Sequence, residues 1–358
     1  MIRVRLHRMV RLFCCLLTAA VVWLPAPTNA APQRSTRASA KTATAPKLTP
    51  KQKKVTNSVT TARARRAKLA RARAASRARQ LREAQEPHFK LDETGALVPD
   101  IRAEAAIIYN AENGQVVWEQ NSLDQRSIAS ITKVMTAAVF LEDSPDLSQP
   151  VVIKSEDVRR ASTTYLRAGY KVTPDDLLHL LLIGSDNAAA RALARISPYG
   201  TTGFIERMNE KAAELGLVST HYADSSGLLA ANVSSALDLA RLITYVSGDE
   251  RIASIMQTQQ YRVSAGRQEI NVRSTNQLVT GGEVEVKAGK TGFITRAGYC
   301  LVTLLQLPQG GPSVAVVVLG ARSNAGRFWE SRHLFNWLSG KAESLLGTPV
   351  EAATATPN

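Results

Sequence analysis

Three features of the 358-residue sequence predict an α+β fold whose antiparallel sheet is drawn from both ends of the folded region. Two β-rich runs flank an Asn113-Gly114 turn early in the chain. Leu- and Ala-rich stretches of helical periodicity fill the middle, and three more β-rich runs followed by an amphipathic helix close the pattern. Strands grouped at the two ends around a helical block argue for segregated helices and sheet, not an alternating parallel arrangement.

Each element has a local cause. Ala105–Tyr109 and Val116–Trp118 are apolar and β-branched, and Asn-Gly between them supplies the positive φ of a tight hairpin. Arg126–Phe140 reads R-S-I-A-S-I-T-K-V-M-T-A-A-V-F, an apolar, Ala-rich run expected to be helical. Pro174–Leu182 carries Pro and two Asp in its first turn, as a helix start should. Phe204–Leu215 is amphipathic and stops at Gly216, and Ser235–Tyr245 is a further helix. From Tyr261 the pattern returns to strands, at Val284–Lys287, Tyr299–Leu305 and Val314–Leu319, with Pro308–Pro312 turning between the last two. Arg327–Leu346 places Phe328, Leu334, Phe335 and Leu338 on one helical face.

The formal charge of +15 is unevenly spread. Residues 1–30 hold four Arg and no acid, residues 33–86 hold 16 Lys/Arg against two Glu, and residues 87–358 hold 25 basic and 28 acidic residues. The basicity belongs to an N-terminal segment, and nothing points to nucleic acid binding by the folded part. Arg3, Arg5, Arg8 and Arg11, then apolar Leu12–Leu24, then small Thr28-Asn29-Ala30 read as a secretory leader over 1–30; an uncleaved membrane anchor is the other reading. Residues 31–86 are too poor in large apolar side chains to offset ordering entropy, so a basic, disordered linker is expected, with 63–79 able to become helical on an anionic wall or membrane surface. The folded domain then spans 87–346, and 347–358 is a short polar tail.

Beyond the leader, with its Cys14 and Cys15, only Cys300 remains, so no intrachain disulfide is expected; its strand-like setting suggests a buried, inert thiol. The five His show no metal spacing, and His179 and His221 read as structural. Neither a metal nor any other cofactor is implied.

Ser130 and Lys133 stand three apart at the start of the apolar run, so a helix would bring hydroxyl and amine to one face. A serine beside an amine that can serve as its base is a nucleophile arrangement, and a helix start offers free N–H groups to an oxyanion. Alone, S-x-x-K is weak, since a Ser near a helix start is usually a cap. Two further triplets, Ser185-Asp186-Asn187 and Lys290-Thr291-Gly292, follow in the order S-x-x-K, S-x-N, K-T-G.

With these triplets in place the chain resembles the serine D-alanyl-D-alanine peptidases, the low-molecular-mass penicillin-binding proteins, over roughly Phe89 to Leu346. Ala129–Thr136, His221–Leu228 (H-Y-A-D-S-S-G-L) and K-T-G-x-x-x-x-A-G-Y-C at Lys290–Cys300 extend the likeness. The resemblance implies the penicillin-binding-protein/β-lactamase-like transpeptidase fold. It also implies acyl-enzyme chemistry on D-Ala-containing peptidoglycan stem peptides, with β-lactam antibiotics as inhibitors. Ser130 would be the nucleophile. Lys133 would be its base, with a pKa lowered by a neighbouring cation such as Lys290. Ser185 would pass a proton to the leaving amine, and Asn187 would hold Lys133 and a substrate amide. Lys290, Thr291 and Gly292 would form the carboxylate side, the N–H groups of Ser130 and Phe293 the oxyanion hole, and Arg327 a support for the carboxylate.

A class A β-lactamase shares the three motifs but needs a Glu in an E-x-x-L-N setting, absent between Asn187 and Lys290; Glu206, Glu210 and Glu214 read as the solvated face of a helix. A non-catalytic wall-binding protein of the same fold is opposed by the intact motifs. Between carboxypeptidase and endopeptidase, the end P-V-E-A-A-T-A-T-P-N is no amphipathic anchor, and the compact plan resembles the endopeptidase branch.

Overall fold

The early hairpin forms where the sequence places it. In the computed structural model, which describes residues 63–76, 78–79, 86–266 and 268–346, Ala105–Asn110 (β3) pairs antiparallel with Val116–Gln120 (β4). A shorter hairpin precedes it, Phe89–Leu91 (β1) against Leu97–Pro99 (β2). Further along, Gln260–Ala265 (β5) pairs with Gln268–Arg273 (β6), and Val286–Ile294 (β7), Gly298–Gln306 (β8) and Ser313–Ala321 (β9) follow. The main sheet runs β7-β8-β9-β3-β4, every neighbour antiparallel, so both chain ends do build one sheet.

Period-two side-chain alternation lets this sheet bury both faces. On β9, Val314, Val316 and Val318 pack with Phe328, Leu334, Phe335 and Leu338, which cover the rear of the sheet. Ala315, Val317 and Leu319 face the opposite way, into the core shared with the helical block. That double burial is why the strands read as continuous apolar runs. The rear cover is helix Asn324–Ser339, capped by Ser323 Oγ accepting from Gly326 N–H at 2.9 Å. It stops at Gly340, so the single helix expected to Leu346 is broken, with a separate turn at Ala342–Leu346.

The helical block holds Lys133–Leu141 (α1), Pro174–Leu182 (α2), Asn187–Ile196 (α3), Gly200–Glu214 (α4), Ala236–Val246 (α5) and Glu250–Gln257 (α6), and the rear helix is α7. Helix α1 runs through the core with Val134, Met135, Ala137, Val139 and Phe140 buried. Thr173 caps α2 in a reciprocal box with Asp176, as the acids of that first turn anticipate. The expected solvated face of α4 becomes an ion-pair network, Arg207 bridging Glu142, Glu210 and Glu214.

Within the basic segment, residues 63–76 are helical and solvent-exposed, consistent with their Ala, Arg and Leu content. The expected leader over 1–30, the tail over 347–358 and most of the linker lie outside the described residues. Among the described residues no helix is long and apolar enough to cross a membrane.

Candidate active site

The Ser130 turn is built by backbone strain and two glycines. Ala129 sits at φ +49°, a left-handed conformation that costs a non-glycine residue on the order of 1–3 kcal/mol. The residues Ala129–Thr132 form a 3₁₀ turn, and α1 begins only at Lys133, so Ser130 stands ahead of the α-helix expected to carry it. Thr132 Oγ1 donates to Ala129 O at 2.8 Å and holds the turn. Gly227 lies against it so closely that a Cβ there would stand 2.0 Å from Ala129 O. Gly292 on β7 also approaches the turn, and a Cβ there would stand 2.7 Å from Ile128 O.

Lys133 is fully buried, and its Nζ donates to Ser130 Oγ at 3.1 Å, Asn187 Oδ1 at 2.6 Å and Ser226 O at 2.5 Å. Its pKa falls to about 7, chiefly because burial penalises the charged form. The expected cause, a push from Lys290, is therefore not the principal one. Of the nearby cations it is Arg191, one turn beyond Asn187 on α3, that presses on Lys133, while Asp186 and Asp224 oppose the shift.

Asn187 opens α3, whose cap is Asp186, with Oδ1 accepting from Ala189 N–H at 2.9 Å. Asp186 Oδ2 accepts from Tyr165 N–H at 2.6 Å and Thr164 Oγ1 at 3.0 Å, tying the 163–165 segment to the S-x-N loop. Ser185 is held at φ +59° and accepts from Lys290 Nζ at 2.9 Å. Lys290 also donates to Thr291 O at 3.0 Å; burial first, then Lys133 and Arg327, hold its pKa well below the ordinary lysine value. Two serine–lysine pairs thus meet at one cleft of about 420 Å³, lined by Ser130, Ser185, Asn187, Thr291, Gly292 and Phe293 among others.

Arg327 also lines this cleft, but its Nη1 is committed to main chain, donating to Gly292 O at 2.9 Å and Cys300 O at 3.1 Å, while Nη2 donates to Asn324 Oδ1 at 2.5 Å. Burial lowers its pKa to about 10. Phe293 is half-exposed and stacks on Tyr299 at 4.2 Å between centroids. Cys300 is buried and free, its thiol pushed up to about 11 by burial. His179 stacks on Tyr261 at 3.7 Å, and neither ring lines the cleft.

Every predicted site residue is therefore at or behind one cleft. Sequence reasoning missed the Ser226 carbonyl and Gly227, although both lie in H-Y-A-D-S-S-G-L, a stretch that carries the family likeness. That loop is held by Asp224, which accepts from Ser226 Oγ at 2.6 Å, Gly227 N–H at 2.9 Å and Asn232 Nδ2 at 2.5 Å. It also missed Thr275, which no motif flags.

Residues 92–323 match the D-alanyl-D-alanine carboxypeptidase family. The chain belongs to that family. It is 34% identical over 227 residues to a D-alanyl-D-alanine endopeptidase of Haemophilus influenzae, covering 63% of this chain and 78% of that one. With the Escherichia coli D-alanyl-D-alanine carboxypeptidase DacC the identity is 30%, covering 67% of this chain and 62% of that one. Among solved structures, a point mutant of the Streptomyces K15 DD-transpeptidase superimposes with a TM-score of 0.62 at 29% identity, covering 68% of this chain and all of the other. The fold is that of the penicillin-binding DD-peptidases, and the chain is a serine D-Ala-D-Ala peptidase of the class that acts on peptidoglycan stem peptides.

Proposed function

We propose that Ser130 is the acylated nucleophile of this DD-peptidase, and that its preferred reaction is endopeptidic, cutting a D-Ala cross-link between two stem peptides. The observation that carries the first part is the contact of Lys133 Nζ with Ser130 Oγ at 3.1 Å by an amine whose pKa is about 7. Neutral Lys133 takes the hydroxyl proton as Ser130 Oγ attacks the carbonyl carbon. The N–H groups of Ser130 and Phe293 receive the oxyanion, each worth on the order of 3 kcal/mol. Ser185, held by Lys290, relays the proton from Lys133 to the departing amine as the C–N bond breaks; water then cleaves the ester, losing one proton to Lys133, which returns it to Ser130 Oγ. Asn187 fixes Lys133 and reaches the substrate amide. Lys290, Thr291 and Gly292 form the carboxylate wall, and Arg327 supports it by holding the Gly292 and Cys300 carbonyls.

The endopeptidase choice is supported by the relatives: an endopeptidase is matched along 78% of its length and a carboxypeptidase along 62%. The catalytic domain is 87–346, and it works outside the cytoplasm, in the periplasm or wall space. The Arg-rich, apolar leader over 1–30 supports this reading, and the basic 33–86 segment supports contact with an anionic wall or membrane surface.

The test is to incubate the protein with cross-linked muropeptide dimers and with monomeric pentapeptide and to weigh the products. Dimers should fall to monomers faster than pentapeptide loses D-Ala. Ser130→Ala should lose both activities and the mass added by a fluorescent penicillin. A fully labelled Ser130→Ala variant would overturn the nucleophile, and preferential D-Ala release would overturn the endopeptidase choice.

A further inference from the structure

The exit of the β5–β6 hairpin reaches the cleft where the S-x-N loop and the K-T-G strand meet. A Cβ on Gly184 would stand 2.5 Å from Val272 Cγ2, so the hairpin packs directly against the residue preceding Ser185. Two residues past β6, Thr275 donates its backbone N–H to Ile183 O at 3.1 Å, which fixes its position independently of its side chain. Its hydroxyl lies 2.6 Å from the Thr291 hydroxyl, and both residues line the cleft.

We propose that Thr275 is a positioning residue for carboxylate recognition. Its hydroxyl donates to Thr291 Oγ1, so that the hydrogen on Thr291 remains free for the substrate carboxylate. Two hydroxyls at this separation share one hydrogen, and the pair has two senses. With Thr291 as donor to Thr275, its hydrogen is spent inside the wall and the cleft receives only lone pairs from it. With Thr275 as donor, Thr291 presents a hydrogen to the cleft beside the Lys290 side chain. A carboxylate accepts only, so its arrival selects the second sense. A donor that is itself accepting a hydrogen bond is polarised and binds an anion more strongly.

This inference rests on the assignment of Ser130 and Thr291 given above. It is tested with the full chain by the second-order rate constant of acylation by benzylpenicillin, which carries a carboxylate, and by its methyl ester, which carries none. Thr275→Val keeps the shape and the backbone bond but removes the donor. It should slow acylation by the acid about tenfold, the factor for losing one ordinary hydrogen bond, and change the ester by less than about twofold. Thr275→Ser should restore the rate with the acid. An equal loss with acid and ester, no loss with the acid, or no rescue by serine each overturns the proposal. Failure of the Ser130 assignment looks different: the unsubstituted protein would then be acylated by neither compound.

Discussion

Replacing Gly227 by Ala tests whether the Ser130 turn depends on close backbone approach. The added Cβ would lie 2.0 Å from Ala129 O, 2.4 Å from Ala129 C and 3.0 Å from Ser130 N. All three are backbone atoms, so no side chain can swing aside, and relief requires moving the turn by about 1 Å, given ordinary carbon–oxygen contact distances. The residue is also at φ +79°, which costs an alanine roughly 1–2 kcal/mol by itself. Adding about 1–3 kcal/mol for overpacking gives a destabilisation of about 3 kcal/mol. For a domain of this size that is on the order of 10 °C in melting temperature. The kinetic effect is larger, because a nucleophile misplaced by about 1 Å loses about a hundredfold in rate. Gly169→Ala is the control: φ is +88° there and nothing lies within 4 Å, so it carries the backbone cost without the clash. Thermal unfolding and the rate of penicillin acylation read the two effects. A Gly227→Ala protein that melts and acylates like Gly169→Ala would refute the argument.

Burial makes two more effects measurable. Because the Lys133 pKa is lowered to about 7, the amine is neutral above that pH and protonated below it. Acylation should therefore rise with pH to a midpoint near 7 and fall about tenfold per unit below it; a midpoint above about 9 in a pH–rate profile, where an ordinary lysine titrates, would refute the lowered pKa of Lys133. The Arg195–Asp157 pair at 2.7 Å buries a carboxylate whose side chain is 2% exposed. Arg195→Met leaves that charge without its partner and should cost about 3 kcal/mol in denaturant unfolding; a loss below about 1 kcal/mol would mean that Lys154 N–H, at 2.8 Å, and solvent suffice for Asp157.

Legibility followed the range of the interactions. The Asn113-Gly114 hairpin, the capped helix at Pro174 and the last two strands rest on local chemistry and appear where predicted. The helix expected to carry Ser130 starts only at Lys133, because Ala129 is held at φ +49° between segments far away in the chain, those of Gly227 and Gly292. The sequence predicts a strand at Val284–Lys287 with the K-T-G triplet on or beside a late strand; one longer strand, Val286–Ile294, carries the whole triplet, since its pairing with β8 overrides the glycines within it.

The order of the motifs identified the serine, the two lysines and the asparagine, because residue identity and spacing are written directly in the chain. Which of them touch, and with what proton affinity, was left to the tertiary structure. Lys133 is titratable near neutrality chiefly because the core removes water from it, and the Ser226 carbonyl, Gly227 and Thr275 reach the site only through chain segments folded over from elsewhere. Desolvation and backbone approach are properties of packed volume, and no stretch of residues carries them alone.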